Sequence, residues 1–373
     1  MARPLILAYH FPQWHRDPRN DRWHGEGWTE WELVRANPVR FPGHRPLRPA
    51  WGEHDEADQV WMAKEIDLAA DHGVDGFIFD TYWYEDGGFL DRVITDGFLR
   101  AANRGRVQFC CMWANHTWRN WHPCQSTQHP WRDAALLEGA ISIPAWRRFA
   151  ERVAGWMADP GYVRLDGRPY FSIYQMKTFL QTCGGLDGAV AELAWFRSLV
   201  CERLGVAPHL GAVWGTIGGV DLPMGEMVQR LGLDSITPYN CCDHFPIWDA
   251  PFPVADWASC DAGNRAARCV RDAASGLPYI PNLTTGWDSS ARCTTTDAWV
   301  RRAYPWYPVL PDDPDRFRVE LEGMRDWFAA HPDALPMFTL NAWNEWTEGA
   351  VLLPTTDRGT ALLEQVRAVF GVR

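Results

Sequence analysis

The feature that most restricts this chain is a repeated change of hydrophobic period. Eight strand-length apolar runs, at residues 5–10, 75–81, 107–114, 169–174, 209–213, 234–239, 279–284 and 337–342, are separated by longer stretches. In several of those stretches the apolar residues return with helical spacing, as at Val60, Met62, Ile66, Ala69 and Ala70 within 58–72. Similar patterns cover 144–157, 187–204, 315–330 and 360–370. An apolar run without polar alternation suits a strand covered on both faces, and intervening helices supply the cover. The alternation therefore predicts an α/β fold with a parallel sheet. Eight repeats predict closure into a single (β/α)8 barrel with long strand-to-helix loops over residues 1–373. An open doubly wound sheet is the alternative that the same alternation allows. No Pro/Gly/Ser-rich linker and no fixed-period repeat divides the chain.

Four segments between these elements, 10–58, 113–143, 240–257 and 286–315, are long and rich in Trp, His, Pro and Asp. Each follows a predicted strand, so in a barrel all four gather at the C-terminal mouth, where such folds carry their active sites. Of the 23 Trp some must line the core, but many sit in polar company, as in Trp14-His15, Trp23-His24 and Trp118-Arg119-Asn120-Trp121-His122. Flat rings interleaved with hydrogen-bonding side chains suit a sugar, whose C–H faces stack and whose hydroxyls need directed partners.

Charge and composition narrow the partners further. With 36 basic against 47 acidic side chains, a net charge of -11 and no Lys/Arg-rich run, a nucleic-acid partner is not expected, because phosphate binding needs cations to displace counterions. No apolar run reaches the roughly 18 residues of a membrane helix. The chain opens on Met-Ala-Arg-Pro and passes straight into the first apolar run, which predicts a cytoplasmic location. The Cys residues, including the vicinal pairs Cys110-Cys111 and Cys241-Cys242, form no C-x-x-C motif and read as free thiols. His15, His24, His116, His122 and His129 lack the helical spacing around a Glu that marks one class of zinc site, so neither a metal nor another cofactor is expected.

The chemistry has its best candidate where the last strand runs into Asn341-Ala342-Trp343-Asn344-Glu345-Trp346-Thr347-Glu348-Gly349. Glycosidic cleavage takes one protonated carboxylic acid near the leaving oxygen and a second, ionised group across from it. A Trp-lined, partly dry site raises one carboxyl while hydrogen bonds keep another charged. Glu345 and Glu348 are therefore the candidate catalytic pair, framed by Trp343 and Asn344. Standing alone, E-x-x-E reads as solvated loop residues or partners of Arg. Other strand ends add groups at the same level: Tyr9 and His10, then Asp80, Tyr82 and Trp83, then Trp113, Asn115 and His116. Tyr174, Trp214, Tyr239 and the pair Trp287-Asp288 follow the later strands. Together they predict a sugar-binding bowl.

The opening Ala8-Tyr9-His10-Phe11-Pro12-Gln13-Trp14-His15 resembles the start of the WbsX family, labelled as lipopolysaccharide-biosynthesis glycosyltransferases and also described as glycoside hydrolase family 99-like. The resemblance continues through Trp23-His24-Gly25-Glu26-Gly27-Trp28-Thr29-Glu30-Trp31, which adds Trp28 and Glu30 to the candidate contacts. It extends through Phe41-Pro42-Gly43-His44, Gly73-Val74-Asp75-Gly76-Phe77 and Trp113-Ala114-Asn115 to the terminal N-E-W-x-E-G. What it implies is a (β/α)8 hydrolase in which Glu345 takes the proton from the sugar's own 2-hydroxyl. That oxygen then attacks the anomeric carbon to give a 1,2-anhydro sugar, while Glu348 serves as general acid and then general base. Retention would follow without a covalent enzyme intermediate, on an α-linked, mannose-like substrate. The chain departs from the family pattern at His116-Thr117-Trp118, at Asp80-Thr81-Tyr82-Trp83 and at Leu352-Leu353-Pro354. An acidic group absent at 116 and present at 80 implies relocated substrate contacts.

Three functional readings follow. The first is a retaining glycoside hydrolase. The second is a glycosyltransferase of cell-surface polysaccharide, for which Gly215-Thr216-Ile217-Gly218-Gly219 and Asp313-Pro314-Asp315 are the best donor-binding candidates. The former reads equally as a turn after a strand and the latter as a helix N-terminus. The third is a carbohydrate-binding protein in which both carboxylates are inert.

Overall fold

The structure, a computed structural model, describes residues 3–120, 134–217 and 221–372. Its centre is built by the apolar runs named above. In β1 (Leu5–His10) every residue from Ile6 onward is buried, as expected of a strand with other elements on both faces. β2 (Gly76–Tyr84), β3 (Gln108–Trp113), β4 (Arg168–Ile173) and β5 (His209–Val213) follow. β6 (Ser235–Thr237), β7 (Asn282–Thr284) and β8 (Met337–Asn341) complete the set. The spatial order β6-β5-β4-β3-β2-β1-β8-β7 is parallel throughout, with Leu7 opposite Gly76, Gly76 opposite Gln108 and Leu5 opposite Met337.

Closure is made just before β7. The Ile236 N–H donates to the Pro278 carbonyl at 3.0 Å, and the Ile280 N–H donates to the Ile236 carbonyl at 2.8 Å. β6 and the chain leading into β7 are therefore bridged in parallel, and the barrel has no free edge between them. This is the closed barrel of the first expectation and not the open sheet. Gly76 is needed where β2 meets β3, because a Cβ there would lie 2.2 Å from the Gln108 carbonyl oxygen.

The five predicted helices appear as α3 (Gln59–Asp71), α4 (Ile143–Trp156), α6 (Leu186–Leu204), α9 (Pro314–Ala330) and α10 (Ala361–Phe370). Three of them start on capping chemistry: Asp58 accepts the Val60 N–H, Ser142 that of Ala145, and Asp313 those of Asp315 and Arg316. Asp313-Pro314-Asp315 is thus a helix N-terminus. Five more helices, α1 (Pro18–His24), α2 (Trp31–Ala36), α5 (Met176–Thr182), α7 (Met224–Leu231) and α8 (Trp257–Ser275), had no periodic signal strong enough to predict them. The first four are short, and α8 carries Gly263 and Asn264 and has mostly Ala among its apolar residues, a weak apolar signal for its length. Cys110, Cys111, Cys241 and Cys242 are free thiols. Among the described residues no helix is long and apolar enough to cross a membrane.

Candidate active site

Past β8 the chain makes a tight hairpin in which Asn344–Glu345 pairs antiparallel with Ala350–Val351. Its turn carries Glu345, Thr347 and Glu348, so the E-x-x-E spacing is presented by a hairpin rather than by a helix. Gly349 sits in the left-handed region at φ 70°, and a Cβ there would lie 2.6 Å from the Asp288 backbone nitrogen. That close approach brings the loop after β7 against the hairpin, with the Asp288 N–H donating to the Glu348 carbonyl at 2.5 Å.

The same loop delivers Arg292, at the end of the short turn Ser289–Arg292. Its Nη2 donates to Glu345 Oε1 at 2.8 Å and its Nη1 to Glu348 Oε1 at 2.8 Å. Its Nε reaches the Thr347 hydroxyl at 3.0 Å, and that hydroxyl in turn donates to Glu30 Oε2. Glu30 Oε2 lies 4.0 Å from Arg292 Nη2, and the Tyr304 hydroxyl donates to Glu348 Oε1 at 2.8 Å. One guanidinium thus orients two carboxylates and stands beside a third, all at the C-terminal mouth. Burial holds the Glu345 carboxyl well above the usual carboxylate range. Arg292 opposes that rise, while Glu348, Glu30 and Asp80 add to it.

These groups open onto a cavity of about 990 Å³. Nine predicted residues line it: Glu30, Asp80, Tyr82, His116, Tyr174, Tyr239, Trp287, Glu345 and Glu348. Asp80 Oδ2 accepts a hydrogen bond from the Tyr239 hydroxyl at 2.7 Å, and Oδ1 has no hydrogen-bond partner. Burial pushes the Asp80 carboxyl up to about 8, against the Tyr239 hydrogen bond and with the help of Glu348. His116 is pushed down to about 4 by burial and packs flat on Trp118, with ring centroids 5.7 Å apart at 21°. It is a neutral ring in the cavity wall at neutral pH.

The remaining predicted contacts do not line the cavity, which corrects the expectation that they form the bowl. For Trp83 and Trp113 the physical reason is strand parity, since successive side chains point to opposite faces. Asp80 and Tyr82 face the mouth, so Trp83 turns outward, stacks on Phe149 and donates to the Ala145 carbonyl at 3.1 Å. Met112 lines the cavity, so Trp113 turns outward and stacks on Trp146 of α4. Tyr9 is fully buried, with its ring 4.7 Å from that of Tyr239.

His10 and Trp343 both reach Glu65 Oε2, at 3.3 and 2.7 Å, and His54 reaches Glu65 Oε1 at 2.8 Å. Asn344 is spent on the Phe11 backbone, accepting from its N–H at 2.8 Å and donating to its carbonyl at 2.9 Å. Asn115 does the same for Gln175, and Trp28 packs on His24. Trp214 packs against a small cluster of Ile236, Ala267 and Tyr279. Asp288 is bound to His44 Nε2 at 2.8 Å and caps the turn that carries Arg292.

Sequence reasoning missed Arg292, Thr347, Tyr304, Tyr307 and Trp248, all of them in the site or on the cavity wall, whereas Trp118 and Arg119, noted as a Trp in polar company, do line it. Thr347 stood between the two Glu residues. Arg292 had no local signal beyond its place in a long loop after a strand. Among the described residues no group of three or more His, Cys, Asp or Glu is arranged to hold a metal ion. His122 and His129 lie outside the described residues, as do Gly218 and Gly219 of the Gly-rich segment.

A closed parallel barrel with clustered carboxylates at its C-terminal mouth defines a (β/α)8 protein of glycoside hydrolase-like fold. Solved structures agree at the level of fold. A glycoside hydrolase-like protein superimposes over 100% of this chain and 95% of its own with a TM-score of 0.62 and 14% identity. The GH99 endo-alpha-mannosidase from Bacteroides thetaiotaomicron, in complex with Bis-Tris-propane, gives a TM-score of 0.52 at 15% identity, covering 98% of this chain and 95% of that one.

The chain belongs to the family described as glycosyltransferase WbsX, whose pattern matches residues 6–187 and 256–366. The matched parts contain Glu30, Asp80, Arg292, Glu345 and Glu348. Tyr239, Asp243 and Trp248 fall between them. The uncharacterized protein WxcX of Xanthomonas campestris pv. campestris is 30% identical over 370 residues, or 97% of this chain and 49% of the relative. The chain thus spans about half the length of the curated relatives it matches.

Proposed function

We propose that this chain is a retaining glycoside hydrolase acting on an α-linked, mannose-like oligo- or polysaccharide, with Glu345 and Glu348 as its catalytic carboxylates. The observation that carries this reading is the pair of carboxylates held on one guanidinium at the edge of an aromatic-walled cavity. In the cycle that the family resemblance implies, Glu345 starts ionised and Glu348 protonated. Glu345 takes the proton of the sugar 2-hydroxyl, O2 attacks C1, and Glu348 protonates the departing glycosidic oxygen. Water then opens the 1,2-anhydro sugar, giving its proton to Glu348 while Glu345 returns one to O2. Two inversions at C1 leave the configuration retained.

The scheme needs Glu345 ionised: burial and the neighbouring carboxyls oppose that and Arg292 favours it, and once ionised the buried carboxylate is a stronger base than an exposed one. Attack by a group already held in the same molecule needs no second reactant to be positioned. The family description favours the transferase as the second reading. Against it stands the make-up of the cavity wall, where, among the described residues, the carboxyl groups of Glu30, Asp243, Glu345 and Glu348 outnumber the cations Arg119 and Arg292, with Asp80 kept neutral at pH 7 by burial. A sugar diphosphate would enter a wall with an excess of carboxyl groups, whereas a neutral glycan meets no such field.

The test is mass spectrometry of sugar released from a panel of α-linked glycans with no nucleotide sugar present. Wild type should release sugar, and Glu345→Gln and Glu348→Gln should each lower the rate on the order of 10²–10⁴-fold. Turnover that begins only when a nucleotide-sugar donor is supplied would replace this reading with the transferase. Glycan bound but unchanged under both conditions would replace it with a binding protein.

A further inference from the structure

Asp80 stands in the cavity wall with half of its carboxyl unused. The residue is only 3% exposed, lines the cavity beside Tyr82 and Tyr239, and takes the Tyr239 hydroxyl on Oδ2 at 2.7 Å. Oδ1 has no hydrogen-bond partner in the protein. Buried polar atoms are almost always paired, so an unpaired one on a residue of a cavity wall marks where a ligand atom completes the bond.

The direction of that bond follows from the groups around it. Tyr9 of β1, Tyr82 of β2, Tyr174 after β4 and Tyr239 after β6 surround the carboxyl, and burial keeps all four phenols neutral. Its charged neighbours are the hairpin residues Glu345 and Glu348, and Glu348 opposes its ionisation. Arg292 is bound to both of those carboxylates, and among the described residues no lysine or arginine bonds to Asp80. An ionised Asp80 would be a buried charge without a counterion, and a group so placed takes up a proton instead. With Oδ2 accepting from Tyr239, that proton sits on Oδ1 and makes it a donor.

We infer that Asp80 binds the substrate as an uncharged carboxylic acid, with Oδ1 donating to an ether oxygen of the glycan, its ring or glycosidic oxygen. Sugar hydroxyls bring their own hydrogens and are met by the carboxylates of the wall, whereas an ether oxygen can only accept. Three donors of the site are already spent, Tyr239 on Asp80, Tyr304 on Glu348, and Arg292 on Glu345, Glu348 and Thr347. The inference rests on the reading of the substrate as a glycan. To that reading it adds a binding residue whose proton sets the pH range over which the substrate is held.

The experiment measures kcat/KM for an α-linked mannotetraose from about pH 5 to about pH 10 in wild type, Asp80→Asn and Tyr239→Phe. Asn places an acceptor and a donor where the acid has them but cannot titrate. The ratio of wild-type to Asp80→Asn kcat/KM should therefore be level up to about pH 8, where burial holds the Asp80 carboxyl, and then fall about tenfold per pH unit. Tyr239→Phe removes a hydrogen bond that favours the ionised form, so its fall should begin at higher pH. A ratio that stays level to the end of the range overturns the inference and leaves the hydrolase reading intact. A ratio that rises does the same, because a carboxylate accepting from sugar hydroxyls would give that result. Should wild type release no sugar, the hydrolase reading fails by itself. Calorimetry at about pH 8, in buffers of different ionisation enthalpy, then decides Asp80 with the same tetraose. Proton uptake on binding in wild type and none in Asp80→Asn supports the inference, and equal uptake in both proteins, no uptake or no binding overturns it.

Discussion

Asp80 shares the cavity with the catalytic candidates but is set apart by its surroundings, since a Tyr239 hydroxyl on one oxygen does not offset complete burial. Its carboxyl is pushed up to about 8, so between about pH 4 and that value the folded protein keeps a proton that the unfolded chain has released. Stability from this group is therefore full at low pH and falls as the pH rises through the window. Asp80→Asn keeps an acceptor for Tyr239 and removes the titration. It should raise stability by a few kcal/mol at about pH 9, with the gain disappearing toward about pH 4. Denaturant midpoints across that range check this, and parallel pH slopes in the two proteins would show that Asp80 is already ionised when folded. Glu65 behaves in the opposite sense. Burial pushes it up, but hydrogen bonds with His10 and His54 outweigh burial and hold it at about 2. Its contribution is present above the ordinary carboxylate range and is lost only as the pH falls toward that value. At this scale the sequence showed which residues carry chemistry and not which of them face a ligand. Asp80 and Glu65 are both acidic side chains near aromatic ones, and the difference lies in who their neighbours are.

Among the elements, legibility followed local chemistry more than length. α9 was readable because Asp313 precedes Pro314 and a long periodic stretch, and Asp313 accepts two backbone N–H groups at its start. Asp313→Ala should cost about 1 kcal/mol in the denaturant midpoint. A variant as stable as wild type would show that the first turn finds other partners. α8 was less readable because its apolar residues are mostly Ala and it contains Gly263 and Asn264, and it is tied to its neighbours by contacts distant in sequence. Arg316 of α9 binds Asp261 of α8 and reaches the Thr284 carbonyl of β7 at 2.8 Å. The strand ends were placed correctly as positions along the chain but not as directions. Trp83 and Trp113 belong to the packing of α4 because the residues beside them face the mouth.

At the scale of the whole molecule, closure through Ile236 makes every barrel strand dependent on its two neighbours. We propose that residues 1–373 form a single domain, and the expected result is one cooperative transition in scanning calorimetry. Two separated transitions would divide the barrel into independent units. What the sequence determined by itself is the set of strands, all but one of the longer helices and the position of Glu345 and Glu348 just past the last strand. These are set by hydrophobic period and by order along the chain, both of which are local. Only the tertiary structure decided which aromatic rings wall the cavity and which cation holds the carboxylates. Strand parity and barrel closure set directions and distances that no short window contains. Arg292 meets Glu345 across 53 positions of sequence, through a contact that exists only when the loops after β7 and β8 lie side by side.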